Sequence, residues 1–407
     1  MPNLYRDIFR APGAKGFAAA GFVARLPIAM APIGIVAMLS QTHGEYWLAG
    51  AVSATYALTN ALVSPQISRL VDRYGQASIV VPATLVSVIA FTALMIAANQ
   101  NWSTWTLFVA GFFAAAMPSM PAMIRARWTE IFRGKPELNT AFAFESSMDE
   151  MMYIAGASLS VGLAVSVFPE AGILASTVLL TIGTAAFIIQ RSSEPKLRSA
   201  DQRATGSAIR LPAVQIVTLA LIFVGAIFAT AEVSAVAITE ELGQPNAASL
   251  VVGVYAVGSF VLGLVLGALK LTTPLQKQFA VAVGVVALTQ VPLLFFTGTV
   301  PLLATAVFVS GLAISPTFIT AFGLIERRVP ESMLTEGVTW VMTGIGIGMA
   351  LGAFLAGWVV DNLGPRHGFW VSVLSASIAL SVVLLGQRLL SGRRMTAVPD
   401  PATQPAE

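Results

Sequence analysis

Ser68-Arg69-Leu70-Val71-Asp72-Arg73-Tyr74-Gly75 stands between two long apolar stretches of the chain, and its reading decides the fold. Two antiparallel membrane helices joined by so few residues need a backbone position that accepts positive φ, and Gly75 supplies it. Asp72 then falls at the hydrocarbon edge, where a carboxylate must find a partner. The sequence offers Arg73, the Arg125 and Arg127 pair at the end of the fourth apolar stretch, or the positive N-terminal end of a neighbouring helix.

Outward from this octet the chain is apolar. Hydrophobic residues make up 56% and charged residues 11% of 407, the charged share being less than half that of an average soluble domain. Twelve stretches approach the roughly 20 apolar residues that a bilayer crossing requires. They lie at about 16-40, 46-69, 77-98, 102-125, 138-167, 171-190, 212-240, 246-270, 277-297, 300-325, 334-360 and 367-390. The first begins after Lys15 and runs on without an evident cleavage site, so it is expected to be retained. Cysteine is absent, which excludes disulfides and thiolate metal sites. The two histidines, His43 and His367, fall at helix ends. Neither a metal site nor a cofactor is expected.

The cations fix the orientation. Arg6, Arg10 and Lys15, then Arg69 and Arg73, the basic cluster from Arg125 to Lys135, the segment 191-210, Lys270 and Lys277, Arg327 and Arg328, and Arg388 to Arg394 occupy alternate connections. Only Arg366 stands on the other side. By the positive-inside rule both termini are cytoplasmic, and a pI near 9.3 reflects this bias and not nucleic-acid binding. The polar segment 191-211 divides the chain into six plus six spans: an N-terminal half at 1-190, a cytoplasmic linker at 191-211, a C-terminal half at 212-390 and a proline-rich tail at 391-407 expected to be disordered. Gly344, Gly348 and Gly352, with Gly263 and Gly267, recur at four-residue spacing and predict close helix packing. Pro27, Pro32, Pro118, Pro121, Pro292 and Pro316 predict kinks or breaks in helices 1, 4, 9 and 10.

Position and letters together make the octet resemble the loop signature of the major facilitator superfamily, in which a small residue, a leucine on the approach to Asp-Arg and a following glycine lie after the second span. Ser68 stands where that family prefers glycine, and Gln76 where a second basic residue is common, which predicts looser packing and a charge relay one cation shorter. A further echo, Gly357-Trp358-Val359-Val360-Asp361-Asn362-Leu363-Gly364, lies on the outer face, as nested three-helix repeats of opposite topology would place it. The resemblance implies an all-α membrane protein of 12 transmembrane helices in two six-helix halves, a monomer in the bacterial cytoplasmic membrane. It also implies that Asp72, Arg73 and Gly75, with Arg125 and Arg127, belong to a cytoplasmic gate between the halves.

Chemistry should reside in the polar groups that a bilayer ordinarily rejects. Arg25 is the ninth residue of the apolar run from Phe17; Glu145, Asp149 and Glu150 lie in the fifth span and Glu232 in the seventh. Each costs on the order of 2.5-3.5 kcal/mol on insertion scales. Glu145 and Asp149, four apart, share a helix face while Glu150 projects elsewhere, and Arg25 lies near their depth, so an ion pair between helices 1 and 5 is predicted. One cation cannot neutralise three carboxylates, which leaves at least one acid protonated or in contact with water. Glu232 has no basic residue near it in the spans of its half. Arg25, Glu145, Asp149 and Glu232 are therefore assigned to proton coupling or substrate, with Tyr56, Asn60 and Trp340 as candidate cavity residues. Helix 4 lacks the early arginine, and Gly156-Ala157 the proline, of the drug-antiporter signatures, yet the pattern is similar to that of bacterial efflux permeases. The expected activity is proton-coupled export of a small organic solute, with Na+ as another possible coupling ion. The runner-up is uptake of an anionic sugar or carboxylate gripped by Arg25. An enzyme is disfavoured by the lack of a metal cluster, a phosphate loop or a soluble catalytic domain.

Overall fold

The computed structural model describes residues 4–43, 46–197, 206–244, 247–269 and 273–391. The tail beyond residue 391, the linker residues 198–205, and with them Arg198, Arg203, Lys270, Arg393 and Arg394 lie outside the described residues. Among those described, the chain is helical, with no strand. A short helix α1 (Leu4–Ile8) precedes α2 (Ala14–His43), α3 (Tyr46–Tyr74), α4 (Gln76–Asn99), α5 (Thr104–Ala114), α6 (Met120–Phe132), α7 (Glu137–Ser166) and α8 (Ala171–Ile189). After the linker come α9 (Pro212–Glu241), α10 (Ala248–Ala268), α11 (Leu275–Gln290), α12 (Val300–Gly311), α13 (Ile314–Arg328), α14 (Leu334–Leu363) and α15 (Phe369–Ser391).

Every expected apolar stretch forms one helix or a broken pair. Among the described residues, eight segments are individually long and apolar enough to cross a membrane. The others are α3, the α5–α6 pair, α7 and α10, and three of these carry the charged residues on which the interfaces depend. Proline acts unevenly. Helix α2 runs unbroken through Pro27 and Pro32, whereas the fourth span breaks between α5 and α6 just ahead of Pro121, and the tenth between α12 and α13 just ahead of Pro316. Near Pro292 the ninth span tightens into a 3-10 turn, Val291–Leu294.

Small residues set the closest crossings. A methyl at Gly348 would meet the Ile222 carbonyl oxygen at 1.8 Å, and one at Gly352 the Ala226 carbonyl oxygen at 2.4 Å. Thus α9 and α14 touch backbone to backbone, the packing that lipid favours. Gly75 follows α3 at φ 92° and Gly364 follows α14 at φ 98°, the same glycine-terminated exit at the two echoed loops. The first six spans meet the last six where α3 packs on α14 and where α7 packs on α10 and α13.

Candidate functional site

Arg125 and Arg127 are two residues apart on α6, a rotation of about 200°, and therefore serve opposite sides of that helix. Arg125 Nη2 donates to Asp149 Oδ2 at 2.6 Å. Arg25 Nη1, from α2, donates to Asp149 Oδ1 at 2.8 Å, and Arg25 Nη2 pairs with Glu145 Oε2. One turn beyond Arg125, Trp128 Nε1 donates to Glu145 Oε1 at 2.7 Å. Arg25, Arg125, Trp128 and Glu145 are fully buried. The predicted charge count is corrected here: Arg125 supplies a second cation, so two guanidinium groups match Glu145 and Asp149. Charge-assisted bonds to both oxygens of each acid offset the large desolvation cost of the quartet. Arg125 also lies 4.0 Å from the ring centre of Phe322 on α13, which carries the network to the other half.

Arg127 serves a separate packing site. Its Nε donates to Gln76 Oε1 at 2.8 Å and its Nη1 to the Gln190 carbonyl and Ser193 Oγ at 2.8 and 2.9 Å. The guanidinium lies 3.7 Å from the Phe187 ring centre. Neither Arg125 nor Arg127 reaches Asp72, which corrects them as its partners. Gln76 is the partner that a basic residue there could not be.

Asp72 instead caps α14. Its two carboxylate oxygens accept the backbone N–H groups of Thr335 at 3.1 Å and Glu336 at 2.8 Å, donors left free at a helix start and placed at the positive end of its dipole. One turn earlier, Ser68 Oγ lies 2.7 Å from Thr339 Oγ1 and is fully buried. Serine therefore tightens this crossing, contrary to the expected looseness. Arg73 stacks near the Tyr74 ring at 5.4 Å and takes no part in the cap. The clasp is widened by Arg133 on Glu331 at 2.8 Å and by Tyr5 Oη donating to the Leu264 carbonyl at 2.7 Å. All four contacts join the halves at their cytoplasmic ends.

Glu150 occupies the deeper seam. It is 4% exposed, its Oε1 accepts the Ser259 hydroxyl of α10, and its Oε2 has no partner among the described residues. Ser259 Oγ in turn accepts the backbone N–H of Ser315 on α13 at 3.1 Å. Ser147, Ser315 and Tyr255 each present a buried, unpaired hydroxyl oxygen as well. The Phe228 ring of α9 packs at 5.2 Å from Tyr255 and 6.4 Å from Tyr153. Glu232, one turn further along α9, is exposed and has no ion pair among the described residues. The three predicted acids and the arginine therefore divide: Arg25, Glu145 and Asp149 form one buried network, and Glu232 stands apart. Glu150 and Ser259 were missed as a pair, although Glu150 was already the acid rotated off the shared face.

The cavity candidates separate too. Tyr56 is buried against Phe91 with its hydroxyl unpaired. Asn60 Nδ2 donates to the Ala115 carbonyl at 3.0 Å, at the break between α5 and α6. Trp340 Nε1 donates to Glu336 Oε1 at 3.3 Å, beside the cap.

Twelve apolar stretches in two halves, clasped at one membrane face around buried charges, define a polytopic carrier protein. The model of the Major Facilitator Superfamily matches residues 17–236 and 217–405. The chain belongs to that superfamily of secondary transporters. Its fold is similar to that of a bacterial homologue of the iron transporter ferroportin in an outward-facing state, at TM-score 0.70 and 15% identity over 91% of this chain and 98% of that one. It is also similar to the human organic anion transporter TETRAN, at TM-score 0.66 and 11% identity over 93% and 100%. The E. coli fucose:proton symporter matches at TM-score 0.66 and 14% identity over 92% and 98%. No curated protein sequence matches the chain significantly.

Proposed function

We propose that the protein is a proton-coupled exporter of a small organic solute, with Glu150 as its central proton-binding group and Glu232 as a second acid on the outer side. The observation that carries this reading is the uncompensated burial of Glu150 between α7 and α10. Both nearby arginines are committed to Glu145 and Asp149, and the other titratable groups beside it are Tyr255 and Asp149 itself. A lone buried carboxylate costs several kcal/mol, so Glu150 carries its proton while the seam is closed. Parting of the halves at the cytoplasmic clasp separates it from Ser259, admits water and releases the proton inward. Glu145 and Asp149, assigned to proton coupling on sequence grounds, are read instead as the fixed frame of the half.

Arg25 supports export over anion uptake, because its charge is already spent on two carboxylates in place of a solute. The ends 1-190 and 212-390 act as the two rocking bodies in this scheme, joined by 191-211. The test is reconstitution into liposomes containing a pH-sensitive dye, with a panel of cationic, neutral and anionic solutes under proton and sodium gradients. Solute-dependent proton flux is expected for the wild type. Glu150→Gln should lose it while retaining solute exchange without a gradient. Proton flux unchanged in Glu150→Gln removes that residue from coupling, and sodium-dependent flux alone replaces the coupling ion.

A further inference from the structure

The four sides of α7 are distinguishable by what they meet. Asp149 faces α2 and α6, Glu150 faces α10, and Tyr153 faces Phe228 of α9. Phe144, Met148 and Met151 lie on the remaining side, where Phe144 and Met148 are half-buried and Met151 is 41% exposed. Against this outward side, at the cytoplasmic end, α1 and the start of α2 enclose a cleft of about 870 Å³.

Its lining is graded. Arg6, Arg10 and Lys15 stand at the mouth. Below them, Ala19 and Phe22 of α2 oppose Phe144 and Met148 of α7, so an apolar throat descends about 10 Å along the helix axis from Lys15. No acidic residue lines the cleft. Asp7 binds Arg10 at 2.8 Å, and Arg6 and Lys15 have no acidic partner among the described residues. The lip is also built and anchored: Ile8 is fully buried, Phe9 packs edge-on against Phe144 at 5.1 Å and near Trp128 at 6.0 Å, and Tyr5 bonds to Leu264. Burial holds the Tyr5 hydroxyl protonated, its pKa pushed up to about 12, so this bond persists through the physiological range.

We propose that this cleft is a binding site for one anionic phospholipid of the cytoplasmic leaflet. A phosphodiester at the level of the two unpaired cations places its glycerol and first acyl carbons between Phe22 and Phe144. A polar solute would leave that throat unfilled, and a neutral lipid would leave the cations unmatched. Because α1 touches both α7 and α10, a lipid seated here braces the same cytoplasmic clasp that must open during transport.

Native mass spectrometry of the detergent-purified full-length chain, titrated with dioleoyl-phosphatidylglycerol or dioleoyl-phosphatidylcholine, tests the site. One phosphatidylglycerol adduct is expected to saturate first. The R6Q/R10Q/K15Q variant should weaken it at least about tenfold, while R69Q/K135Q/R388Q, which removes three other cytoplasmic cations, leaves it unchanged. Ala19→Trp fills the throat without altering charge and should exclude the lipid from a protein that stays monodisperse. Equal retention of the two lipids, equal losses in both triple variants, or displacement of the adduct by inorganic phosphate alone would overturn the proposal. None of these readouts depends on the transport reading above.

Discussion

Asp149 is the residue on which the buried network turns, because each of its oxygens holds a different arginine. Asp149→Asn removes one charge and leaves two buried guanidinium groups competing for Glu145. The expected loss is about 3–5 kcal/mol, read as a lower melting temperature of the purified protein. Glu145→Gln keeps an amide oxygen for Trp128 and should cost less. A larger effect for Glu145→Gln would show that the Arg25–Glu145 pair, and not Asp149, organises the site. The acids and Arg25 were legible in the sequence, since charge in an apolar run marks itself. Their partition was not. The second cation came from Arg125, which the sequence placed near the gate, and the two-residue spacing to Arg127 was the overlooked signal that these arginines face opposite ways.

At the level of helices, α14 carries two kinds of information on one length. Its N-terminus is capped by Asp72 from the other half, and its glycine stripe lies on α9. Gly348→Ala would set a methyl against the Ile222 carbonyl, whereas at Gly346 there is no atom within 4 Å to meet. Gly348→Ala is therefore expected to lower the melting temperature sharply and to reduce the monodisperse fraction in size-exclusion chromatography. Gly346→Ala should match the wild type, or gain slightly in helix propensity. The small-residue spacing was readable as packing. Which helix it would meet was not, because periodicity defines a face and says nothing of the partner. Polar residues in α3 and α7 lower the hydropathy of those helices where the halves touch, although both stand among the twelve stretches read from the sequence.

For the molecule as a whole, the transport scheme proposed above has the cytoplasmic clasp open to let the central region reach the cytosol. The chain contains no cysteine, so a pair introduced at Ser68 and Thr339, whose hydroxyl oxygens are 2.7 Å apart, would be unique. Oxidation of Ser68→Cys with Thr339→Cys should abolish transport, and reduction should restore it. Full transport in the cross-linked protein would mean that α3 and α14 do not separate. Asp72 supports the same view at lower cost: a side chain from one half completes the hydrogen bonding of a helix in the other, so parting leaves both unsatisfied until water replaces the contact.

The sequence by itself determined the membrane class, the twelve apolar stretches, the orientation and the family signature. These depend on composition, length and charge along a single chain, and the octet from Ser68 to Gly75 concentrated them. Only the tertiary structure decided that Asp72 caps α14, that Arg125 shares Asp149 with Arg25, that Glu150 is the carboxylate left without a cation, and that α1 encloses a charged cleft with α7. Those facts depend on the rotation of each helix about its axis and on which neighbours lie against it. Residues separated by 100 or more positions in the chain acquire partners only when the helices pack.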